Sequence, residues 1–173
     1  MHARNAKLPD AFAIEQLIQV HVGDGTLLPR SLAEICENIR DFIVVENGGE
    51  IVGCGALHLY GMHLAEIRSI TVTNRSEGKG AGRVLIDALM KEAQKQSVTC
   101  VCLFTRIPGF FAKMGFCEVE KEALPDKIFK DCMKCSRRNA CDEVAMYQGT
   151  LPRITARTLR SPKDYVQIAP LHA

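Results

Sequence analysis

Apolar residues recur along the chain with two spacings, one helical and one alternating. Ala11, Ile14, Leu17, Ile18 and His21 fall at helical intervals behind Asp10, a residue type suited to capping a helix start, and Gly23 and Gly25 mark where that helix ends. Ser31-Leu32-Ala33-Glu34 reads as a capping box, opening a second helix from Leu32 to about Arg40. The short segment His2 to Ala6 suits an edge strand. Two strands, Phe42 to Glu46 and Glu50 to Leu59, flank Asn47-Gly48-Gly49, where Asn-Gly supplies the positive φ angles of a tight hairpin. Glu66 to Val72 is the next strand. It leads through a glycine-rich loop into an amphipathic helix with Leu85, Ile86, Leu89, Met90 and Ala93 on one side. Val98 to Thr105 reads as a buried strand, and Pro108 and Gly115 bracket a short helix through Met114. Phe116 to Val119 and Glu143 to Tyr147 form a last strand pair around a polar insertion, residues 120–142. The pattern predicts an α/β (α+β) domain over residues 1–149 and a C-terminal tail, residues 150–173, in which periodicity fades.

Composition narrows the class. The 173 residues are 47% hydrophobic and 24% charged, values of a globular domain with a single core. No apolar run approaches the length of a membrane span, and the first thirty residues lack the unbroken apolar stretch of a secretory leader, so a cytoplasmic protein without a membrane partner is expected. The formal net charge is +2. Arg153, Arg157, Arg160 and Lys163 against Asp164 give the tail a local +3, which leaves 18 basic and 19 acidic residues in the rest. With basic character confined to the tail, 6% aromatics and no tryptophan, nucleic acid is not an expected partner. Among eight cysteines, Cys132 and Cys135 are two residues apart and Cys141 follows. That spacing leaves three readings open: a zinc site short of its fourth ligand, a reversible disulfide, or free thiols.

The densest chemical signal is Thr73-Asn74-Arg75-Ser76-Glu77-Gly78-Lys79-Gly80-Ala81-Gly82, between a strand and a helix. Glycines there let backbone amides approach an anion that a Cβ would hold away, and the helix dipole reinforces the field. Lys79 and Arg83 add charge at the rim, and a pyrophosphate fits such a loop. It is neither a dinucleotide fingerprint, since Arg83 stands where the third glycine is needed, nor a Walker loop, since Gly78-Lys79 is followed by Gly80.

Glu66-Ile67-Arg68-Ser69-Ile70-Thr71-Val72, then Glu77 to Gly82, then Leu85-Ile86, resembles the acetyl-CoA motif of the GNAT acetyltransferases, written Gln/Arg-x-x-Gly-x-Gly/Ala. Arg75 to Gly80 matches the letters. Counting from Val72 and from the helix favours Glu77 to Gly82, with Glu77 in place of Gln or Arg. Leu28-Pro29-Arg30-Ser31, Phe42 to Glu46, Ile51 to Leu57, Phe110 to Phe116, Leu124 to Ile128, Asp131-Cys132 and Cys141 to Met146 are similar to the acetyltransferase domain of bacterial N-acetylglutamate synthases, in their short stand-alone form. The resemblance spans roughly residues 1–148. It implies a GNAT fold: a mixed, mostly antiparallel sheet flanked by helices, with acetyl-CoA in the splay between the two central strands. It also implies acetyl transfer to the α-amino group of an amino acid, L-glutamate first, for arginine biosynthesis, with acetyl-CoA as cosubstrate and no metal required. Another amine acceptor, or a non-catalytic CoA- or zinc-binding regulator, stays open. A homodimer is a further option, through Leu57-His58-Leu59-Tyr60 or the tail.

The same resemblance implies site residues. The cofactor contacts fall on Ile70, Val72, Glu77, Gly78, Lys79, Gly80, Ala81, Gly82, Arg83 and Phe111, with the Ile70 backbone amide as oxyanion donor. Glu66 is the candidate base, acting directly or through water. Strict alternation sets Glu66, Arg68, Ile70 and Val72 on one face and Ser69 on the other; a bulge, common in this family's strand, would switch the parity and bring Ser69 to the substrate. A dicarboxylate acceptor needs cationic donors, for which Arg30, Arg106 and Lys127 are the candidates. The tyrosine that many members carry after the fifth strand is replaced here by Phe110 and Phe111, so either the thiolate leaves unaided or another donor serves.

Overall fold

In the computed structural model, which describes residues 1–23, 25–135 and 138–152, seven strands form one sheet. They are β1 (His2–Asn5), β2 (Phe42–Asn47), β3 (Glu50–Gly61), β4 (Leu64–Val72), β5 (Cys100–Thr105), β6 (Cys117–Glu118) and β7 (Val144–Gly149). Their order is β1-β2-β3-β4-β5-β7-β6, and all neighbours are antiparallel except β4 and β5. The mixed, mostly antiparallel sheet is the one the resemblance implies. The basic residues of the tail, from Arg153 on, lie outside the described residues.

Both faces of β2 are apolar because each is covered. Ile43 and Val45 join Val52, Leu57, Ala65 and Ile67 under Leu85, Ile86 and Leu89 of α3 (Ala81–Lys95). Phe42 and Val44, at the alternate positions, meet Ile14 and Ile18 of α1 (Ala11–Val20) and Ile35 of α2 (Leu32–Glu37). Each such Leu or Ile, fully buried, contributes about 1.5–3 kcal/mol. A third cluster, Leu64, Cys100, Cys102, Leu124 and Ala145, closes the α1 side under the segment between β6 and β7.

Local chemistry differs from the sequence expectation at three points. Asp10 precedes α1 without a side-chain cap bond; its carboxylate instead accepts from Lys7 N and from Arg4. The capping box of Ser31 and Glu34 forms, but α2 stops at Glu37 and a single 3-10 turn, Ile39–Asp41, carries the chain into β2. In the hairpin the positive φ angles fall on Gly48 (62°) and Gly49 (82°), with Asn47 paired to Glu50 as the last strand residues.

Two features of β4 prepare the site. Between the pairs Cys54↔Thr71 and Ala56↔Arg68, β3 advances two residues while β4 advances three. The extra residue is a bulge, marked by Ser69 at φ 53°. Among the described residues, parallel pairing of β4 with β5 covers only Ala65↔Val101 and Glu66↔Cys102, after which β4 continues to Val72 with no partner on that side. The two central strands therefore splay apart.

Candidate active site

At the open end of the splay, β4 hands over to α3 through a 3-10 turn, Asn74–Ser76, and a loop in which Gly78 (φ 69°) and Gly80 (φ 89°) take left-handed backbone. An L side chain is strained in that conformation, which explains glycine at both sites. The first bond of α3 runs from Val84 N to Gly80 O, so the amides of Ala81, Gly82 and Arg83 precede the helical ladder, and no side chain caps them. Where a Cβ would stand on Gly78 or Gly80 there is open space. An uncapped helix start with open space beside it fits the diphosphate of a coenzyme, the anion that the motif predicts. Glu77, Lys79 and Arg83 are exposed at the rim, and Arg75, which opens the alternative register, is ion-paired to Glu50. Ala81 is buried, and the ring of Phe110, on α4 (Pro108–Ala112), packs over Gly82. Phe111, expected at the cofactor, is instead 3% exposed in the main core against Phe116, so the aromatic beside the loop is Phe110.

The bulge rearranges the other side of β4. Ile70 packs toward α3 with the main core, whereas Ser69 joins Glu66 and Arg68 on the opposite face, the reverse of strict alternation. Neither Ser69 nor Ile70 has a register partner on β3 or β5. Arg30, from the chain entering α2, reaches this face and donates from Nε to Ser69 Oγ at 2.8 Å. Burial and the nearby Arg68 guanidinium lower its pKa from the usual arginine value. Glu34, Glu66 and Asp131 act on the same guanidinium from a longer range and favour its charge, while its direct side-chain bond is to the neutral Ser69 hydroxyl.

Glu66 is 3% exposed, with one partner on each oxygen: Lys127 Nζ stands 2.8 Å from Oε1 and Tyr60 Oη donates to Oε2 at 2.9 Å. Lys127 comes from α5 (Pro125–Lys130), inside the segment expected to be a polar insertion. Its ammonium also meets Asp131 Oδ2 at 3.0 Å and lies over the Phe104 ring of β5. Burial works against that charge, yet Glu66 and Asp131 together keep the Lys127 pKa above the usual lysine value. Burial likewise opposes ionisation of Asp131, but Lys127, Tyr60 and Arg68 hold its carboxyl below the usual aspartate range. Tyr60 is pushed above the normal phenol value by burial and by the two carboxylates. Arg68 completes the group, 3.6 Å from Asp131 and 2.9 Å from His58 Nδ1.

Of the three predicted substrate cations, then, Arg30 and Lys127 come to the Glu66 face. Arg106 does not: it pairs with Asp142 at 2.8 Å and donates to Gly25 O at 2.9 Å, tying the α1–α2 loop to the chain before β7. Tyr60, Arg68 and Asp131 belong to the cluster, although the sequence did not single them out for it. In Leu57-His58-Leu59-Tyr60, the suggested dimer surface, only Leu59 is exposed. Cys141 stands 3.2 Å from Lys121 Nζ, all eight thiols are free, and among the described residues no group of three or more His, Cys, Asp or Glu side chains is arranged to hold a metal ion. Among the same residues, no helix is long and apolar enough to cross a membrane.

Residues 38–118 match the sequence profile of the acetyltransferase (GNAT) domain. The chain is 43% identical over 143 residues to an uncharacterised N-acetyltransferase of Chlorobaculum tepidum, covering 83% of this chain and 92% of that protein. It is 34% identical over 131 residues to the amino-acid acetyltransferase of Mycobacterium tuberculosis, covering 74% and 75% of the two chains. The N-acetylglutamate synthase of Neisseria gonorrhoeae, solved with coenzyme A and N-acetyl-glutamate, superposes with a TM-score of 0.76 at 25% identity, over 87% of this chain and 35% of that one.

Proposed function

This chain belongs to the GNAT acetyltransferases and is an N-acetyltransferase that uses acetyl-CoA; we propose that its acceptor is the α-amino group of L-glutamate, the product being N-acetylglutamate for arginine biosynthesis. The observation that carries this reading is the meeting, on one face of β4, of the Glu66 carboxylate with Arg30, Arg68 and Lys127. A dicarboxylate amino acid brings one ammonium and two carboxylates, and this cluster offers the opposite charge to each.

Acetyl-CoA supplies a thioester, whose carbonyl carbon the amine attacks; as the C–N bond forms the C–S bond breaks, and coenzyme A leaves as a thiolate that takes up the second proton lost by the amine nitrogen. The amides of Gly78 to Arg83 bind its diphosphate, with Lys79 and Arg83 adding positive charge and Glu77 at the loop entrance. Ile70 and Val72 line the splay, and the N–H of Ile70, a residue with no register partner at the bulge, donates to the carbonyl oxygen as negative charge builds on it. Glu66 takes a proton from the acceptor ammonium; a positioned general base contributes about 10²–10⁴ in rate. Arg30, oriented by Ser69, and Arg68 receive the acceptor carboxylates, and Lys127 holds Glu66 in place. Arg106 serves the frame around the site.

Release of free thiol from acetyl-CoA over a panel of amino acids tests the reading. Glutamate-dependent release is expected; release with a different amine, and none with glutamate, overturns the acceptor. Arg30→Glu sharpens the test. It is expected to raise the glutamate KM at least about tenfold, the scale of one lost charge-assisted bond, while the acetyl-CoA KM stays near wild type.

A further inference from the structure

Glu66 is nearly sealed from water, its side chain 4% exposed, yet a base that turns over must return each proton to solvent. The hydrogen bonds around it suggest how. Tyr60 Oη lies 2.9 Å from Glu66 Oε2 and 3.1 Å from Asp131 Oδ2. A phenol carries one hydrogen, and an ionised carboxylate has none to give. With both acids ionised, only one of those two contacts holds a proton. Adding one proton fills both: protonated Glu66 donates to the Tyr60 oxygen, and Tyr60 donates to Asp131. The Asp131 side chain is 31% exposed, so the line from Glu66 through Tyr60 to Asp131 leads from the interior toward water.

We propose that Tyr60 and Asp131 form the exit path for the proton that Glu66 removes from the acceptor ammonium. The inference rests on the reading of Glu66 as base. In balance, R–NH3⁺ and the Glu66 carboxylate give R–NH2 and the carboxylic acid. That acid then passes its proton to the Tyr60 oxygen as the Tyr60 hydrogen moves to Asp131, leaving Glu66 ionised and Tyr60 neutral. Asp131 releases the proton to solvent. No oxidant or further reactant is involved.

The surrounding groups fit these roles. Tyr60 resists ionisation, so it hands protons on in concert and does not store charge. Asp131 is a weak holder of protons and gives them up readily. Lys127 bridges the two acids at 2.8 and 3.0 Å and keeps its own proton, so it fixes their separation without competing as carrier. The other groups near the path include Arg68 beside Asp131, Lys130 over the Tyr60 ring, His58 edge-on to that ring, Arg30 and the thiols of Cys102 and Cys132. Tyr60 and Asp131 act through Glu66, so both are positioning residues that also carry a proton.

The test uses the full chain, acetyl-CoA and L-glutamate, or whichever panel amino acid is turned over, at low buffer concentration and again with added imidazole. Tyr60→Phe is expected to lower kcat about tenfold in low buffer, part of a general-base contribution. The acceptor KM should stay within about twofold, and imidazole should restore most of the loss by carrying the proton instead. Asp131→Asn is expected to behave the same way, which covers the case of a Tyr60 variant that fails to fold. Unchanged kcat in both variants, or a loss that imidazole does not relieve, overturns the relay. Glu66→Gln separates the two layers: wild-type turnover in that variant removes the base and the relay together. Loss there beside buffer-independent Tyr60→Phe removes the relay alone.

Discussion

Single residues in this protein are held by partners far away in sequence. Asp10 shows it outside the active site. Arg4 donates to both of its carboxylate oxygens, at 2.7 and 2.9 Å, and shares its guanidinium with Glu46 at 2.7 Å. These bonds from Arg4, with one from Lys7 N, outweigh burial and hold the Asp10 carboxyl below its ordinary value. A folded value below the unfolded one stabilises fully above the ordinary aspartate pKa of about 3.9, and the contribution disappears as pH falls through that range. Asp10→Asn is therefore expected to cost about 1–3 kcal/mol at neutral pH, with the gap to wild type closing below about pH 4. Thermal unfolding of both proteins from pH 7 downward checks it; a gap that does not change with pH would show that the charge is not the source. At the same scale, Glu66, Arg30 and Lys127 could be read from residue type and motif, whereas Tyr60 and Asp131 could not. They are separated by 71 positions, and no local pattern records that they meet.

Among the elements, the loop into α3 was legible because its chemistry is local. Glycines, a strand before them and an amphipathic helix after them are all written in consecutive residues. The conformations of Gly78 and Gly80 give the element-scale prediction. Forcing a β-branched side chain into left-handed backbone costs about 1–3 kcal/mol, and here it would also occupy the space beside the amides. Gly80→Val is expected to raise the acetyl-CoA KM about tenfold or more, with the acceptor KM little changed. Steady-state kinetics with each substrate varied in turn decides it, and equal effects on both would overturn the assignment. The bulge in β4 was not legible in the same way. Nothing local in Arg68-Ser69-Ile70-Thr71 differs from an ordinary strand; only the family resemblance suggested a bulge that would turn Ser69, and the register against β3 locates the extra residue. Its consequence is large. It turns Ser69 toward Arg30 and leaves Ile70 with no register partner.

At the scale of the whole molecule, two strands that separate after one short stretch of parallel pairing make a cleft, and the chain around it supplies both sides. Coenzyme A bound there adds stability by mass action, about 2.7 kcal/mol at a concentration 100 times its Kd. The melting temperature is then expected to rise by about 5–10 °C for a chain of this size, while a coenzyme-independent transition would contradict binding in the splay. What the sequence determined by itself was what neighbours along the chain carry: most of the strands and helices in their order, the Ser31 capping box, the glycine loop and the family they add up to. Tertiary structure alone decided which side chains share the β4 face. It put Phe111 in the core and Phe110 at the loop, sent Arg106 to Asp142, and brought α5 to the Glu66 side of β4 so that Lys127 and Asp131 meet Glu66 and Tyr60. Backbone preferences and periodicity act over a few residues, whereas a charge cluster is selected by packing between segments tens of residues apart, where only the folded chain brings the partners within reach of one another.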